Sequence, residues 1–142
     1  MHMINLIGRC QNVFRTDNSV ADDLAPCHHS FVFAISKNPG LTQEQLSRKL
    51  CLNKSTVTRT VFYLEEHGYV RREASLSDKR SLLVYPTEKM EKVFLEVRAI
   101  AARWRDYLLS DFSPEELSEF SKTLEKLTNK AQDYVYCKDE SV

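Results

Sequence analysis

The segment "LTQEQLSRKLCLNKSTVTRTVFYLEEHGYVRRE", residues 41–73, predicts two short helices and the beginning of a β-strand. Thr42 and Gln45 have the spacing of a capping box, in which two side chains satisfy backbone N–H groups at the start of a helix. Asn53 is a favourable N-cap for a second helix, and Gly68 suits the left-handed conformation that often ends one. Because only a short turn separates the two helices, the segment predicts a helix-turn-helix.

The residues that follow predict a β-hairpin. The stretches "YVRREA" and "LLVYP" have the composition of strands, and Pro86 ends the second one. Between them, "SLSDKRSL" carries Asp78, Lys79 and Arg80 in a row, which by default is only a solvated turn. Directly after a helix-turn-helix, the hairpin is expected to be a wing whose tip reaches a neighbouring DNA groove or phosphate.

Helical periodicity surrounds this region. Apolar residues recur every three to four positions over residues 3–14, 90–108 and 117–134. A dense apolar segment from Leu24 onward predicts one more helix, with Pro26 tolerated in its first turn. The expected fold is mainly α: a winged helix-turn-helix with a two-stranded β wing, plus N- and C-terminal dimerisation helices.

The length of 142 residues fits a single domain, so we expect residues 1–142 to form one. Residues 24–86 are the predicted winged helix-turn-helix DNA-binding region, and residues 1–20 and 87–142 the predicted helical dimerisation region. The terminal apolar stripes exceed what a small winged helix can cover, so an identical chain is the expected partner. The alternative is that the terminal helices pack on each other within one chain.

The charge distribution is locally basic although the whole chain is balanced. Twenty Lys and Arg residues face twenty Asp and Glu residues. Residues 42–85 nevertheless hold eight basic and five acidic side chains, and residues 45–64 hold no acidic one. This region therefore predicts a positive surface of the kind that binds nucleic acid.

The second helix of the helix-turn-helix is expected to bury Val57, Val61 and Leu64, which turns Arg59 and Phe62 outward. Hydroxyls near a helix start suit phosphate, and an arginine can span guanine O6 and N7. The alternative is a polar helix face without a ligand. The predicted DNA-binding side chains of helix, strand and tip are Lys54, Ser55, Thr56, Thr58, Arg59, Arg71, Arg72, Lys79 and Arg80.

In this order and spacing, the segments resemble the MarR family of bacterial winged-helix regulators over nearly the whole chain. The resemblance rests on residues 41–73, on the Asp-x-Arg pattern of Asp78 and Arg80, and on Thr87 near the start of a long helix. It implies a homodimeric transcriptional regulator in which Arg80 enters the minor groove and Asp78 holds the wing in position. The expected function is repression of transcription by binding to a pseudo-palindromic operator in double-stranded DNA.

The resemblance also implies release by a small-molecule effector, for which a small aromatic or phenolic compound is expected. Effector pockets of the family lie between the second helix, the long fifth helix and the dimerisation helices. The aromatic candidates there are His29, Phe33, Trp104 and Tyr107, and the alternative is that they are ordinary core residues.

Four cysteines, Cys10, Cys27, Cys51 and Cys137, are scattered without a CxxC pair, so neither a disulfide framework nor a zinc knuckle is expected. Buried thiols are the expected state, especially for Cys10 on an apolar stripe. The alternative is a thiol-based redox-sensing regulator of the same fold that uses Cys10 and Cys27.

Other classes of protein find little support in the sequence. There is no Gly-rich phosphate loop, HExxH motif or nucleophile elbow, so an enzyme is not expected. His28 and His29 are adjacent on a helix and point about 100° apart, so neither a metal nor a cofactor is expected. A winged helix that only binds proteins is a further alternative, but it predicts no basic recognition face. Because no segment reads as a signal peptide or membrane span, a cytoplasmic protein is expected.

Overall fold

The computed structural model describes residues 1–75 and 81–139, with side chains up to residue 135. This part of the chain is mainly helical, as predicted. Its elements in chain order are α1 His2–Asp17, α2 His29–Lys37, β1 Leu41–Thr42, α3 Gln43–Leu50, α4 Lys54–Glu66, β2 Val70–Ala74, β3 Leu82–Pro86, α5 Glu88–Leu109 and α6 Pro114–Asp139.

The predicted capping residues delimit the helix-turn-helix. The backbone N–H of Gln45 donates to Oγ1 of Thr42 at 3.1 Å, and the Gln45 amide oxygen accepts from the Thr42 N–H at 2.8 Å. Asn53 Oδ1 accepts from the N–H of Thr56 at 2.8 Å, which starts α4. Gly68, with φ of 73°, turns the chain from α4 into β2. Local capping chemistry therefore fixes the two helices.

The predicted hairpin of β2 and β3 is present, and a third short strand extends it. The strand order is β1-β3-β2, and both pairings are antiparallel, with Leu41 and Arg72 on either side of Val84. The sequence did not predict β1, because two residues are too few to show an alternating pattern. Gly40 precedes it with φ of 85°, and a Cβ there would lie 3.1 Å from the hydroxyl of Tyr85.

The second helix begins later than the sequence predicted. A 3-10 turn covers Pro26–His28, and α2 starts at His29. Ala25 is extended, with ψ of 150°, because the ring of a following proline excludes the helical conformation. Leu24 is consequently buried outside the helix.

One hydrophobic core joins α2, α3, α4, the hairpin and α5. Val57, Val61 and Leu64 are fully buried in it, which confirms the predicted inner face of α4. The other core residues are Leu24, Phe31, Val32, Ala34, Ile35, Leu46, Tyr69, Val70, Val84, Met90, Val93 and Val97.

The helices at the two ends bury much less. The chain divides into two compact units, Met1–Trp104 and Arg105–Val142. No side chain of α1 is buried, nor is any described side chain of α6. The partition predicted from the sequence, with residues 24–86 for DNA and 1–20 and 87–142 for dimerisation, stays a prediction. None of the described helices combines the length and the apolar character that a membrane span requires.

Candidate nucleic-acid interface

The face of α4 opposite the core is polar and exposed, as the predicted helix rotation requires. Ser55, Arg59, Phe62 and Glu66 all lie on it. Phe62 is the one large apolar side chain among these four and is 50% exposed. Arg59 has neither a hydrogen bond nor an ion pair within the described part of the chain, so its guanidinium is available to a ligand.

Two hydroxyl groups near the start of α4 form hydrogen bonds of 2.9 Å. Ser55 donates to Oδ1 of Asn53 at 2.9 Å. The hydroxyl of Thr58 lies 2.9 Å from both the Lys54 carbonyl and the Gln43 amide oxygen. These contacts leave the helix start ordered before any ligand binds, and hydroxyls and backbone N–H groups at such a start suit phosphate.

An acidic residue of α3 restrains two cations beside this helix start. Oε1 of Glu44 lies 3.4 Å from Nζ of Lys54 and 3.7 Å from a guanidinium nitrogen of Arg48. All three side chains are more than half exposed, so each ion pair contributes little. Lys54 can therefore exchange the carboxylate for a phosphate. The role of Glu44 could not be predicted from the sequence, because the spacing along the chain does not reveal which side chain of α3 reaches α4.

The adjacent Arg71 and Arg72 of β2 have different surroundings. Arg71 forms an ion pair with Glu73 of its own strand and lies 4.8 Å from the ring centre of Tyr85 in β3. Arg72 instead donates from Nε to Oε2 of Glu65 in α4 at 2.8 Å, and its Nη2 contacts the same oxygen. These hydrogen bonds hold the pKa of the Glu65 carboxyl below its usual range.

Asp78, Lys79 and Arg80 lie outside the described residues, so their roles stay predictions. On the described side, an open cleft of about 310 Å³ joins the start of α3 to the start of β3. Its lining residues are Thr42, Gln43, Glu44, Ser81 and Leu82.

The four effector-pocket candidates have separate surroundings. His29 is 1% exposed in the core. Phe33 packs edge-on against Phe94, with ring centres 5.6 Å apart, and Trp104 packs against Phe14 at 5.1 Å. Tyr107 is 73% exposed and belongs to the second compact unit.

The charge of Arg15 acts on the buried imidazole of His29, a relationship that the sequence did not predict. Burial, followed by the charges of Arg15 and His28, lowers the pKa of His29 to about 4. Its Nε2 is buried without a hydrogen-bond partner in the described residues. Arg15 is half-buried, which lowers its own pKa, and it has no ion pair within the same residues. In the sequence, the sign that pointed to Arg15 was its position directly after Phe14, which belongs to the apolar stripe of α1.

The expectation of buried thiols was wrong. Cys10, Cys27 and Cys51 are all exposed, whereas the side chain of Cys137 lies outside the described residues. Cys10 is exposed because the described residues leave most of the apolar stripe of α1 uncovered, and the other two lie in turns. No group of His, Cys, Asp or Glu in the described residues has the arrangement of a metal site.

Comparisons with known proteins match this chain to regulators of transcription. Residues 26–82 match the model of the MarR family. The HTH-type transcriptional regulator BilQ of Clostridium symbiosum (strain WAL-14163) is 31% identical over 97 residues, which cover 68% of this chain and 67% of that protein.

Solved structures match a larger part of this chain than the family model does. A crystal structure of MarR is 26% identical, with a TM-score of 0.81, and the match covers 98% of this chain and 92% of that one. A MarR family transcriptional regulator from Listeria monocytogenes complexed with 26mer DNA is 20% identical, with a TM-score of 0.83 and coverage of 97% and 89%. That second likeness shows the fold alone. Members of the matched family regulate transcription and are not enzymes, so this chain belongs to the MarR family and is a helix-turn-helix transcriptional regulator.

Proposed function

We propose that the protein is a repressor that binds a pseudo-palindromic operator in double-stranded DNA as a homodimer and is released by a small-molecule effector. The observation that carries the DNA-binding part is Arg59 on the exposed face of α4, which has no ion pair within the described residues and lies beside an ordered, hydroxyl-rich helix start. A solved structure of the same fold complexed with 26mer DNA supports DNA binding. The proposal includes a cytoplasmic location, because that is where a bacterial regulator meets its DNA.

In the proposed complex, α4 enters the major groove and Arg59 contacts a guanine. Such a bidentate contact contributes about 1–3 kcal/mol of discrimination between bases. Ser55, Thr56 and Thr58 contact phosphates near the helix start, and Lys54 joins them when it leaves Glu44. Lys79 and Arg80 keep the roles that the sequence predicts for the wing, with Asp78 as the positioning residue.

The homodimer is supported by the apolar side chains that the single chain leaves uncovered. On α1, Met3, Ile4, Leu6, Ile7 and Val13 are about half exposed or more. On α6, Phe120, Leu124, Leu127, Tyr134 and Val135 are exposed. Apolar stripes of this extent on soluble proteins mark interfaces, and two-fold pairing of identical chains also matches a palindromic site.

The effector is proposed to be an aromatic acid or a phenolate that binds near Arg15. The Arg15 guanidinium is half-buried without a counter-ion in the described residues, and its charge acts on the buried imidazole of His29, whose Nε2 has no hydrogen-bond partner in the same residues; this arrangement favours an anionic group. The neighbouring rings of Phe14 and Trp104 suit an aromatic body. Replacing Arg15 with Gln is expected to abolish release by such a compound while DNA binding persists.

A redox-sensing regulator is the second candidate, because Cys10 and Cys27 are exposed to oxidants. In that case a hydroperoxide changes DNA affinity, and substitution of the responsible cysteine with Ser removes the response. If DNA affinity is unchanged while the protein stays folded and reducible, the thiol switch is excluded.

The central experiment is selection of DNA by the wild-type protein from a randomised double-stranded library, followed by fluorescence anisotropy on the selected fragment. Arg59→Ala is expected to weaken binding by about 5- to 150-fold. Arg98→Ala, which removes the same charge from an exposed position of α5, is the control and is expected to change little. Failure of the wild type to select any fragment, or equal binding by Arg59→Ala, would overturn the proposal.

A further inference from the structure

We propose that Arg72 is a positioning residue rather than a DNA contact: together with Glu65 it fixes the wing hairpin of β2 and β3 against the recognition helix α4. The inference rests on the proposed DNA binding, and it gives Arg72 a different role from the one that the sequence predicts. Helix and wing must meet the same DNA at a set spacing, so their mutual orientation determines whether both can bind at once.

The Glu65–Arg72 pair spans the turn from helix to strand. Glu65 lies in the last turn of α4 and Arg72 in the middle of β2, with Gly68 between them. Nε and Nη2 of Arg72 both donate to Oε2 of Glu65, at 2.8 Å for Nε. Only 22% of the Arg72 side chain and 32% of the Glu65 side chain are exposed. The pair is therefore charge-assisted and partly shielded from water, unlike a surface ion pair.

Arg72 is also well placed to hold the centre of the hairpin. It pairs in register with Val84 of β3, which is fully buried. At the base of the hairpin, the backbone N–H of Thr87 donates to the Tyr69 carbonyl at 3.0 Å. The Glu65–Arg72 contact adds a second point of attachment further along the strand, and two separated points oppose rotation of the hairpin about its base.

Arg71 provides a contrast within the same strand. Its side chain is 54% exposed, and its contacts with Glu73 and Tyr85 both stay within the hairpin. Arg71 can turn toward a phosphate without loosening the hairpin from α4. If Arg72 did so, it would leave the carboxylate of Glu65 half-buried and unpaired beside the negative charge of DNA, which is unfavourable. Arg72 therefore stays on Glu65 in the bound state.

The substitution Glu65→Gln distinguishes the two roles by the sign of its effect. A DNA-contacting Arg72 would be released by this change, and a negative charge would disappear, so binding would tighten. A positioning Arg72 loses its charged partner, so we expect binding to the selected fragment to weaken by about 5- to 30-fold. The charge swap Glu65→Arg with Arg72→Glu is expected to recover most of that loss.

A second measurement does not depend on DNA. Hydrogen exchange of the β2 and β3 backbone amides in the free protein is expected to accelerate in Arg72→Met and Glu65→Gln, and to stay near wild type in the matched control Arg71→Met. Circular dichroism and urea titration establish that each variant is folded.

The outcomes separate this inference from the proposed function. Equal or tighter binding by Glu65→Gln, or a charge swap that binds worse than either single variant, overturns the positioning role while DNA binding stands. If the wild type selects no DNA, the proposed function fails, and the exchange experiment still decides whether the pair holds the hairpin. Equal exchange in Arg72→Met and Arg71→Met overturns the positioning role in either case.

Discussion

The hydroxyl of Tyr69 donates a hydrogen bond to Oδ1 of Asp23 at 2.5 Å, which ties the segment before α2 to the start of the wing hairpin. Nζ of Lys89 donates to the other oxygen of Asp23 at 2.8 Å and lies 4.0 Å from the ring centre of Tyr69. The same ammonium group donates to the His67 carbonyl at the end of α4 at 3.0 Å. The Asp23 carboxylate thus connects the residue before β2 with the start of α5, and Lys89 extends the connection to the end of α4.

Asp23→Asn is expected to lower the free energy of unfolding by about 1 kcal/mol at pH 7, because it removes a charged acceptor that is partly open to water. The hydrogen bonds from Lys89 and Tyr69 lower the pKa of Asp23 from its usual 3.8. The contribution is therefore present above this value and is lost as the pH falls through the lower pKa of the folded state. Urea titrations at pH 7 and pH 3 measure it. Asp22→Asn, at the exposed neighbouring position, is the control, and equal losses in both variants would contradict the prediction.

His29 predicts a second pH dependence. Its pKa of about 4 in the folded protein lies below the usual 6.5, so the unfolded chain binds a proton that the folded chain does not. Stability is complete above pH 6.5 and falls between pH 6.5 and 4, by at most about 3 kcal/mol. His29→Leu is expected to flatten this slope in urea titrations across the window. The control His2→Leu, at an exposed position of α1, should retain it. Parallel slopes in wild type and His29→Leu would be the contrary result.

Glu44→Gln is expected to tighten DNA binding by about two- to fivefold at low salt, since it frees Lys54 and removes a negative charge beside the helix start. Anisotropy titrations of wild type and variant on the selected fragment test this, and the gain should shrink as salt rises. Glu91→Gln on α5 makes the same change of charge at an exposed position outside the interface. Unchanged binding by Glu44→Gln, or an equal gain in Glu91→Gln, would show that the Lys54–Glu44 pair does not restrain the cation.

Features that depend on residues close together in the chain could be predicted from the sequence. The Thr42–Gln45 capping box depends on two positions three apart, and the buried face of α4 depends on the spacing of Val57, Val61 and Leu64. Both follow from the geometry of a single helix, so they need no knowledge of the rest of the fold.

Relationships across elements could not be predicted in this way. Asp23 and Tyr69 are 46 positions apart, and nothing in either segment identifies the other as its partner. The different surroundings of Arg71 and Arg72 depend on which side of β2 faces α4, which the turn at Gly68 determines. Periodicity identified the apolar stripe that contains Cys10, but periodicity does not say what covers a stripe, and the expected burial was wrong.

The last prediction concerns the apolar stripe of α6. Leu124 and Leu127 are 42% and 54% exposed in the single chain, and in the proposed homodimer they pack against the partner. The double variant Leu124→Glu/Leu127→Glu places two like charges in that interface, so light scattering is expected to give the 16.5 kDa mass of one chain where wild type gives twice that value.

DNA binding supplies the second readout for α6. A monomer engages one half of a palindrome, so the double variant is expected to lose affinity for the complete selected site while its weak binding to an isolated half-site stays the same. Ser118→Glu/Asn129→Glu adds the same charges to the opposite face of α6 and is expected to remain dimeric. If wild type is itself a monomer at micromolar concentration, the homodimer fails. If wild type is a dimer and the leucine variant remains one, the interface lies elsewhere, and the stripe of α1 with Leu6 and Ile7 is the next surface to substitute.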